Sequence, residues 1–157
     1  MSKSLKRVNR ALQDAGLSIT PIEMGSETRT AQQAADAAGC ALDQIAKSVI
    51  FAGADSQQAI LFITAGGNQV DAAKASAVAG EPLGKADAAL IRAQTGFAIG
   101  GVAPVGHLNP IRAFIDPRLL DFEVFYAAAG TPRHIFPIEP RKLSEISSAQ
   151  LADFIIL

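Results

Sequence analysis

Thr95-Gly96-Phe97-Ala98-Ile99-Gly100-Gly101-Val102-Ala103-Pro104-Val105-Gly106-His107 constrains this chain more than any other stretch. Four glycines and a proline in thirteen residues rule out a continuous helix or a long strand. The pattern predicts a short apolar strand, Phe97 to Ile99, running into a loop whose backbone comes close to something else. Without a Cβ, glycine lets backbone N–H groups face a carbonyl or a developing oxyanion. The same glycines also suit a tight crossover that needs them only for their dihedral angles.

Around this loop the periodicities alternate between helix and strand. Leu5, Val8, Leu12 and Ala15 share a helical face that stops at Gly16. Ile19 to Met24 is a short strand candidate. Thr30-x-x-Gln33 is a capping box opening an alanine-rich helix to about Gly39. Ser48 to Ala52 and the uniformly apolar Ala59 to Ile63 form a hairpin about the Gly53–Ser56 turn, the second strand buried on both faces. Helices are predicted over about Asp71 to Ala79 and Asp87 to Gln94, the latter capped by Asp87. Strands follow at Arg112 to Ile115, Glu123 to Ala128 and Ile135 to Ile138. Pro117 opens a helical turn, Pro140 to Ile146 is another, and Phe154 to Leu157 closes the sheet. Strands and helices mix without regular βαβ alternation, so the class is α+β with a mixed, largely antiparallel sheet.

Composition sets limits on function. The 157 residues suffice for one domain, spanning 1–157, with a substantial core. A hydrophobic share of 49% against 18% charged residues excludes general disorder. No apolar run reaches the roughly 20 residues that cross a bilayer, so no membrane partner is expected. A single cysteine, Cys40, rules out an internal disulfide framework and points to the cytoplasm. Two histidines, His107 and His134, are too few for most histidine metal sites, so neither metal nor cofactor is expected. A net charge of −1 argues against an extended duplex-binding face, but not against gripping a nucleic-acid end through local cations. Candidates are Lys3, Lys6, Arg7 and Arg10 on the first helix, with Arg29, Lys47, Lys74, Arg133 and Arg141. Each of these except Lys47, taken singly, reads as a solvated surface charge.

No nucleophile elbow, zinc-binding helix, Walker loop or dinucleotide fingerprint is present. Cys40 follows a helix end with no motif around it, which suits a small boundary residue. Lys47 stands apart. It lies just ahead of the strand in Ala46-Lys47-Ser48-Val49-Ile50-Phe51 and interrupts an apolar approach. An ammonium buried there must be used or must reach water.

Taken with Thr30-Ala31-Gln32-Gln33-Ala34-Ala35 and the Tyr126–Phe136 segment around Gly130-Thr131-Pro132-Arg133-His134, Lys47 and the Gly100–Pro104 loop resemble the YbaK and prolyl-tRNA-synthetase-associated editing family. Its members are small free-standing aminoacyl-tRNA deacylases, related to the editing insertion of bacterial prolyl-tRNA synthetases. The resemblance covers nearly the whole chain. It implies a curved sheet rolled toward a barrel with helices outside, and ester hydrolysis assisted by a hydroxyl of the terminal adenosine. It implies catalytic roles for Lys47, on the terminal phosphate or the ester carbonyl, and for Gly100, Gly101 and Pro104 in the loop. Thr30, Val102, Gly106, His107, Gly130 and His134 are the substrate-binding candidates. Thr30 is equally a helix cap, and His107 equally a loop-fixing residue. Asn68 and Asp71 could meet the nucleotide end or cap the following helix.

The implied function is trans-editing of a small misacyl group, of the alanine, serine, threonine, cysteine or 2-aminobutyrate class, most plausibly on tRNA-Pro. The partner is the acceptor end of an aminoacylated tRNA, with a synthetase as a further partner. Two other readings stay open: a non-catalytic module that binds an aminoacylated or oligonucleotide end, and a small-molecule esterase using the same cradle.

Overall fold

The computed structural model describes residues 2–157; Met1, the first residue of the basic N-terminal stretch, lies outside the described residues. Helix α1 (Lys3–Asp14) is capped by the Ser2 hydroxyl, which accepts the Leu5 N–H, and it buries Leu5, Val8 and Leu12. Strand β1 (Ile22–Glu23) is shorter than the pattern predicts. Helix α2 (Ala31–Ala38) carries the full Thr30–Gln33 capping box and ends at left-handed Gly39.

The centre of the fold is the hairpin of β2 (Ile45–Gly53) and β3 (Ala59–Ala65). Every residue of β3 is buried. Leu61, Ile63 and Ala65 face one core, while Ile60 and Phe62 face another, as expected for an uninterrupted apolar strand. Phe62 anchors the second core, with ring centroids 5.7, 5.4 and 5.0 Å from those of Phe51, Phe114 and Phe154. Helix α3 (Ala72–Ala79), capped by Asp71, packs Ala75 and Ala79 into that cluster. Strand β4 (Leu83–Lys85) has no apolar signature and escaped the sequence reading.

Helix α4 (Ala88–Thr95), capped by Asp87, ends at left-handed Gly96. No strand follows at Phe97–Ile99. The Phe97 N–H is taken by the Thr95 hydroxyl, and the Gly101 N–H closes a turn onto the Ala98 carbonyl at 3.1 Å. Gly100 occupies the third position of that turn at φ 91°, as a type II turn requires. Strands β5 (Arg112–Ile115), β6 (Phe125–Ala128) and β7 (His134–Ile138) follow, with a 3-10 turn at Pro117–Asp121 between the first two. Helix α5 (Pro140–Ser147) precedes β8 (Gln150–Leu151). The last strand is therefore not Phe154–Leu157, which contributes one bridge, Ile155 to Val70, while Phe154 fills the second core.

The eight strands form one α+β sheet in the order β1-β7-β6-β2-β3-β5-β8, with β4 paired to β2 off this path. Four of the seven strand pairings are antiparallel and three parallel. The sheet does not close into a barrel, since β1 and β8 end the strand order. Strand β2 has an unusual position. One edge pairs with β3 throughout, and the other is shared by β6 at Ile45–Ala46 and β4 at Phe51–Gly53. Residues 47–50 have a ladder partner on the β3 side alone, and the sheet is split there.

Phe62→Ala removes the ring that joins three others in the second core. Its expected cost is about 3–5 kcal/mol in unfolding free energy, read from urea denaturation; a loss within about 0.5 kcal/mol would show that the aromatic cluster does not hold the sheet.

Candidate active site

A cleft of about 220 Å³ opens at the split between β2 and β6. Its walls are the chain before and into α2 (Thr28–Ala31, Ala34), the start of β2 (Ile45–Ser48), Gly100 and Val102 of the glycine loop, and Tyr126–Ala128 of β6. The turn into β7 adds Thr131, Pro132, His134 and Ile135. Four segments distant in sequence converge because β2 and β6 run parallel for only two residue pairs before they part.

Lys47 lies within β2 rather than ahead of it, because pairing with β3 extends back to Ala46 and Ala65. On its face of the strand it stands between Ile45, packed on α2, and Val49, packed against the Phe62 cluster. Its Nζ donates to the Asn68 carbonyl. The Asn68 side-chain amide donates to Asp116 Oδ2 at 2.9 Å, and the same oxygen accepts the Ala65 N–H at 3.1 Å. Asp116 Oδ1 accepts the Arg118 N–H at 3.0 Å, so this carboxylate, 1% exposed, is bonded at both oxygens. Asp43 completes the acidic side, accepting the Gly67 N–H at 2.8 Å and pairing with Arg118 at 3.0 Å. Burial lowers the Lys47 pKa from the ordinary 10.5, and the charges of Asp116 and Asp43 oppose that fall.

Asp116, Asn68 and Asp43 were not singled out with Lys47 in the sequence. Asp116 was visible only as the residue before Pro117, and Asn68 as a possible ligand or cap. Asp71 is a helix cap, accepting the Ala73 and Lys74 N–H groups. At the opposite side of the cleft, His134 Nδ1 lies 2.7 Å from the Thr131 hydroxyl, which also accepts the Arg133 N–H. The imidazole is therefore held by its own turn.

Of the ten residues predicted for the site, Thr30, Lys47, Gly100, Val102 and His134 line the cleft. Thr30 also serves as the α2 cap. The other five do not line it. Gly101 gives its N–H to Ala98 and packs against the Gly130–Thr131 backbone, where a Cβ would lie 3.1–3.2 Å from main-chain atoms. Gly130, at φ 95°, abuts α1; a Cβ there would sit 2.8 Å from the Ser4 carbonyl oxygen. Pro104, Gly106 and His107 border a different hollow, beside Ile146–Ser148. His107 donates from Nε2 to the Ala103 carbonyl at 2.7 Å and meets Phe97 edge-on. Burial lowers its pKa against the opposing effect of the Ala103 bond, with the nearby Arg7 charge adding to the fall, which favours a neutral, loop-fixing ring.

Cys40 packs beside α2, and burial raises its pKa, so the thiol form prevails there. Among the described residues no cluster of three or more His, Cys, Asp or Glu could hold a metal, and no helix is long and apolar enough to cross a membrane.

These features belong to a recognisable class. The chain matches the family model of the aminoacyl-tRNA editing domain over residues 25–146, and it belongs to that family. It is 31% identical over 129 residues to the uncharacterised protein YwhH of Bacillus subtilis (strain 168), with 82% of each chain covered. A crystal structure described as a candidate trans-editing enzyme for prolyl-tRNA synthetase superposes with a TM-score of 0.93 at 41% identity, covering 100% of this chain and 99% of the other. A scaffold protein used for presenting grafted linear epitopes also superposes at 0.93, with 40% identity and full coverage of both chains.

The Lys47 environment gives a titration with a defined sign. A depressed native pKa means that the folded state binds fewer protons than the unfolded state in the window just below 10.5. Stability contributed by this group therefore rises with pH through that window. Asp116→Asn removes a charge that favours the ammonium, so the Lys47 amine should titrate at lower pH than in wild type, as followed by NMR of the labelled side chain. An unchanged titration would show that Asp116 does not act on Lys47.

Proposed function

We propose that this protein is a trans-editing aminoacyl-tRNA deacylase, acting as one editing domain in the cytoplasm on small misacylated amino acids. The observation that carries the reading is the convergence of Lys47 and Gly100 on one small cleft in a chain of the editing-domain family. At about 220 Å³ the space falls below the usual range for drug-sized ligands and suits a small acyl group. Its walls at Ala31, Ala34, Ala46, Ala127 and Val102 are short and apolar, whereas Arg29, Lys47, Ser48, Thr131 and His134 supply polar groups.

The reaction is hydrolysis of the ester joining the amino acid to the terminal ribose. Water adds to the ester carbonyl, negative charge develops on its oxygen, and the C–O bond to the ribose breaks. The products are the free amino acid and the tRNA hydroxyl. In this reading Lys47 favours the anionic intermediate or the adjacent phosphate, and Gly100 lets the backbone approach the acyl group without a side chain. Among the described residues no serine is hydrogen-bonded to a histidine in the cleft, where His134 bonds Thr131 instead, and an activated ester needs no such pair if water and oxyanion are well placed. Selection by pocket size explains why such an activity is needed, since a synthetase cannot reject a smaller amino acid by binding alone. Likeness to the candidate trans-editing enzyme supports tRNA-Pro as the carrier and a synthetase as a working partner.

The test is deacylation of tRNA-Pro charged in turn with alanine, serine, threonine, cysteine, 2-aminobutyrate and proline. One small amino acid should be released rapidly and proline spared. Lys47→Ala should lower that rate by about 100-fold or more, the scale of losing one oxyanion-stabilising group. Release from none of the six would overturn the tRNA-Pro assignment, and tight binding without turnover would favour a binding module.

A further inference from the structure

Helix α1 precedes the segment that matches the family, yet it touches both loops that serve the cleft. Arg7 Nη2 donates to the Gly96 carbonyl at 2.7 Å, and Nε donates to the Gly106 carbonyl at 3.1 Å. The same guanidinium stacks over the Phe97 ring, 4.7 Å from its centroid. One turn earlier, Ser4 lies against Gly130, the residue before Thr131 of the cleft. Gly96 and Gly106 bracket the stretch that contains Gly100 and Val102. We propose that Arg7 is a positioning residue for the editing cleft: by holding both ends of the glycine loop it sets where Gly100 and Val102 stand.

The physical basis is loop closure. A stretch rich in glycine has many backbone states, and tying its ends removes most of them. A guanidinium is suited to this because its fork reaches two carbonyls at once while its plane covers an aromatic ring. The fit is close at the first anchor, where a Cβ on Gly96 would fall on the Arg7 side chain. Arg7 is thus diverted from the surface role available to Lys3, Lys6 and Arg10, all exposed on the same helix.

For catalysis this inference rests on the deacylase reading, so the experiment has one arm that needs no activity. Amide hydrogen exchange compares wild type, Arg7→Lys and Arg7→Ala. Faster exchange at Gly100–Val102 with β3 unchanged is the expected result, graded from lysine to alanine. Equal loop exchange in all three overturns the proposal, whether or not the protein deacylates tRNA.

The second arm uses the misacylated tRNA-Pro that wild type turns over fastest. Arg7→Ala should lower kcat by about tenfold to a hundredfold with KM within about threefold, the pattern of a misplaced loop. Arg7→Lys should fall between, and added guanidinium should restore part of the Arg7→Ala rate. A loss confined to KM and steepened by salt would overturn the proposal, placing Arg7 with Lys3, Lys6 and Arg10 as an RNA-backbone contact. Should Arg7→Ala fail to fold, Arg7→Lys decides in both arms.

Discussion

The pairing of β2 with β3 is the constraint on which the rest of the molecule depends. Strand β3 is covered on both faces, so its register against β2 is fixed by two cores at once. A slip of one residue would exchange Phe62 with Ile63 or Leu61 between cores built around different partners. That fixed register sets Lys47 opposite Thr64, near the loop that carries Asn68. It also leaves the outer edge of β2 to be shared between β6 and β4, and this sharing opens the cleft. The site is therefore a consequence of sheet topology, at a point where two parallel strands separate.

Placing an amine on a strand between apolar neighbours is unfavourable by itself, because burial disfavours the charged form. The protein answers with carboxylates one layer behind rather than with a direct ion pair. Asp116 and Asp43 lie near enough to support the ammonium, but the bonds of Asp116 go to Ala65, Asn68 and Arg118. The Lys47 amine itself is left with a neutral carbonyl partner, that of Asn68. A neutral partner is more readily exchanged for a substrate oxygen than a carboxylate would be. The acidic residues thus hold the local structure and tune the charge without neutralising it.

What was legible in the sequence was local. The Thr30–Gln33 box, the Asp71 and Asp87 caps, and the apolar run of β3 are each specified by residues a few positions apart. Lys47, Gly100 and His134 were legible through family resemblance, and the structure brings all three to one cleft. Periodicity failed where tertiary partners decide. Phe97–Ile99 has strand-like composition, but Thr95 and Ala98 consume its neighbouring donors and fold it into a turn. Asp116 and Arg7 were illegible as partners because the bonds of Asp116 to Asn68 and Ala65 span 48 and 51 residues, and those of Arg7 to Gly96 and Gly106 span 89 and 99.

The glycine loop combines two tasks that its composition does not separate. Its first half reaches the cleft, with Gly100 in a left-handed turn position and Val102 on the wall. Its second half, through Pro104, Gly106 and His107, borders another hollow and is fixed by the His107 bond to Ala103. Gly101, between Gly100 and Val102, fits the first half against Gly130. Glycines at Gly100 and Gly101 thus have different physical reasons: a positive φ for one and a close backbone approach for the other. Fixing the second half narrows the backbone states open to the first, because a glycine-rich stretch with a free end samples many.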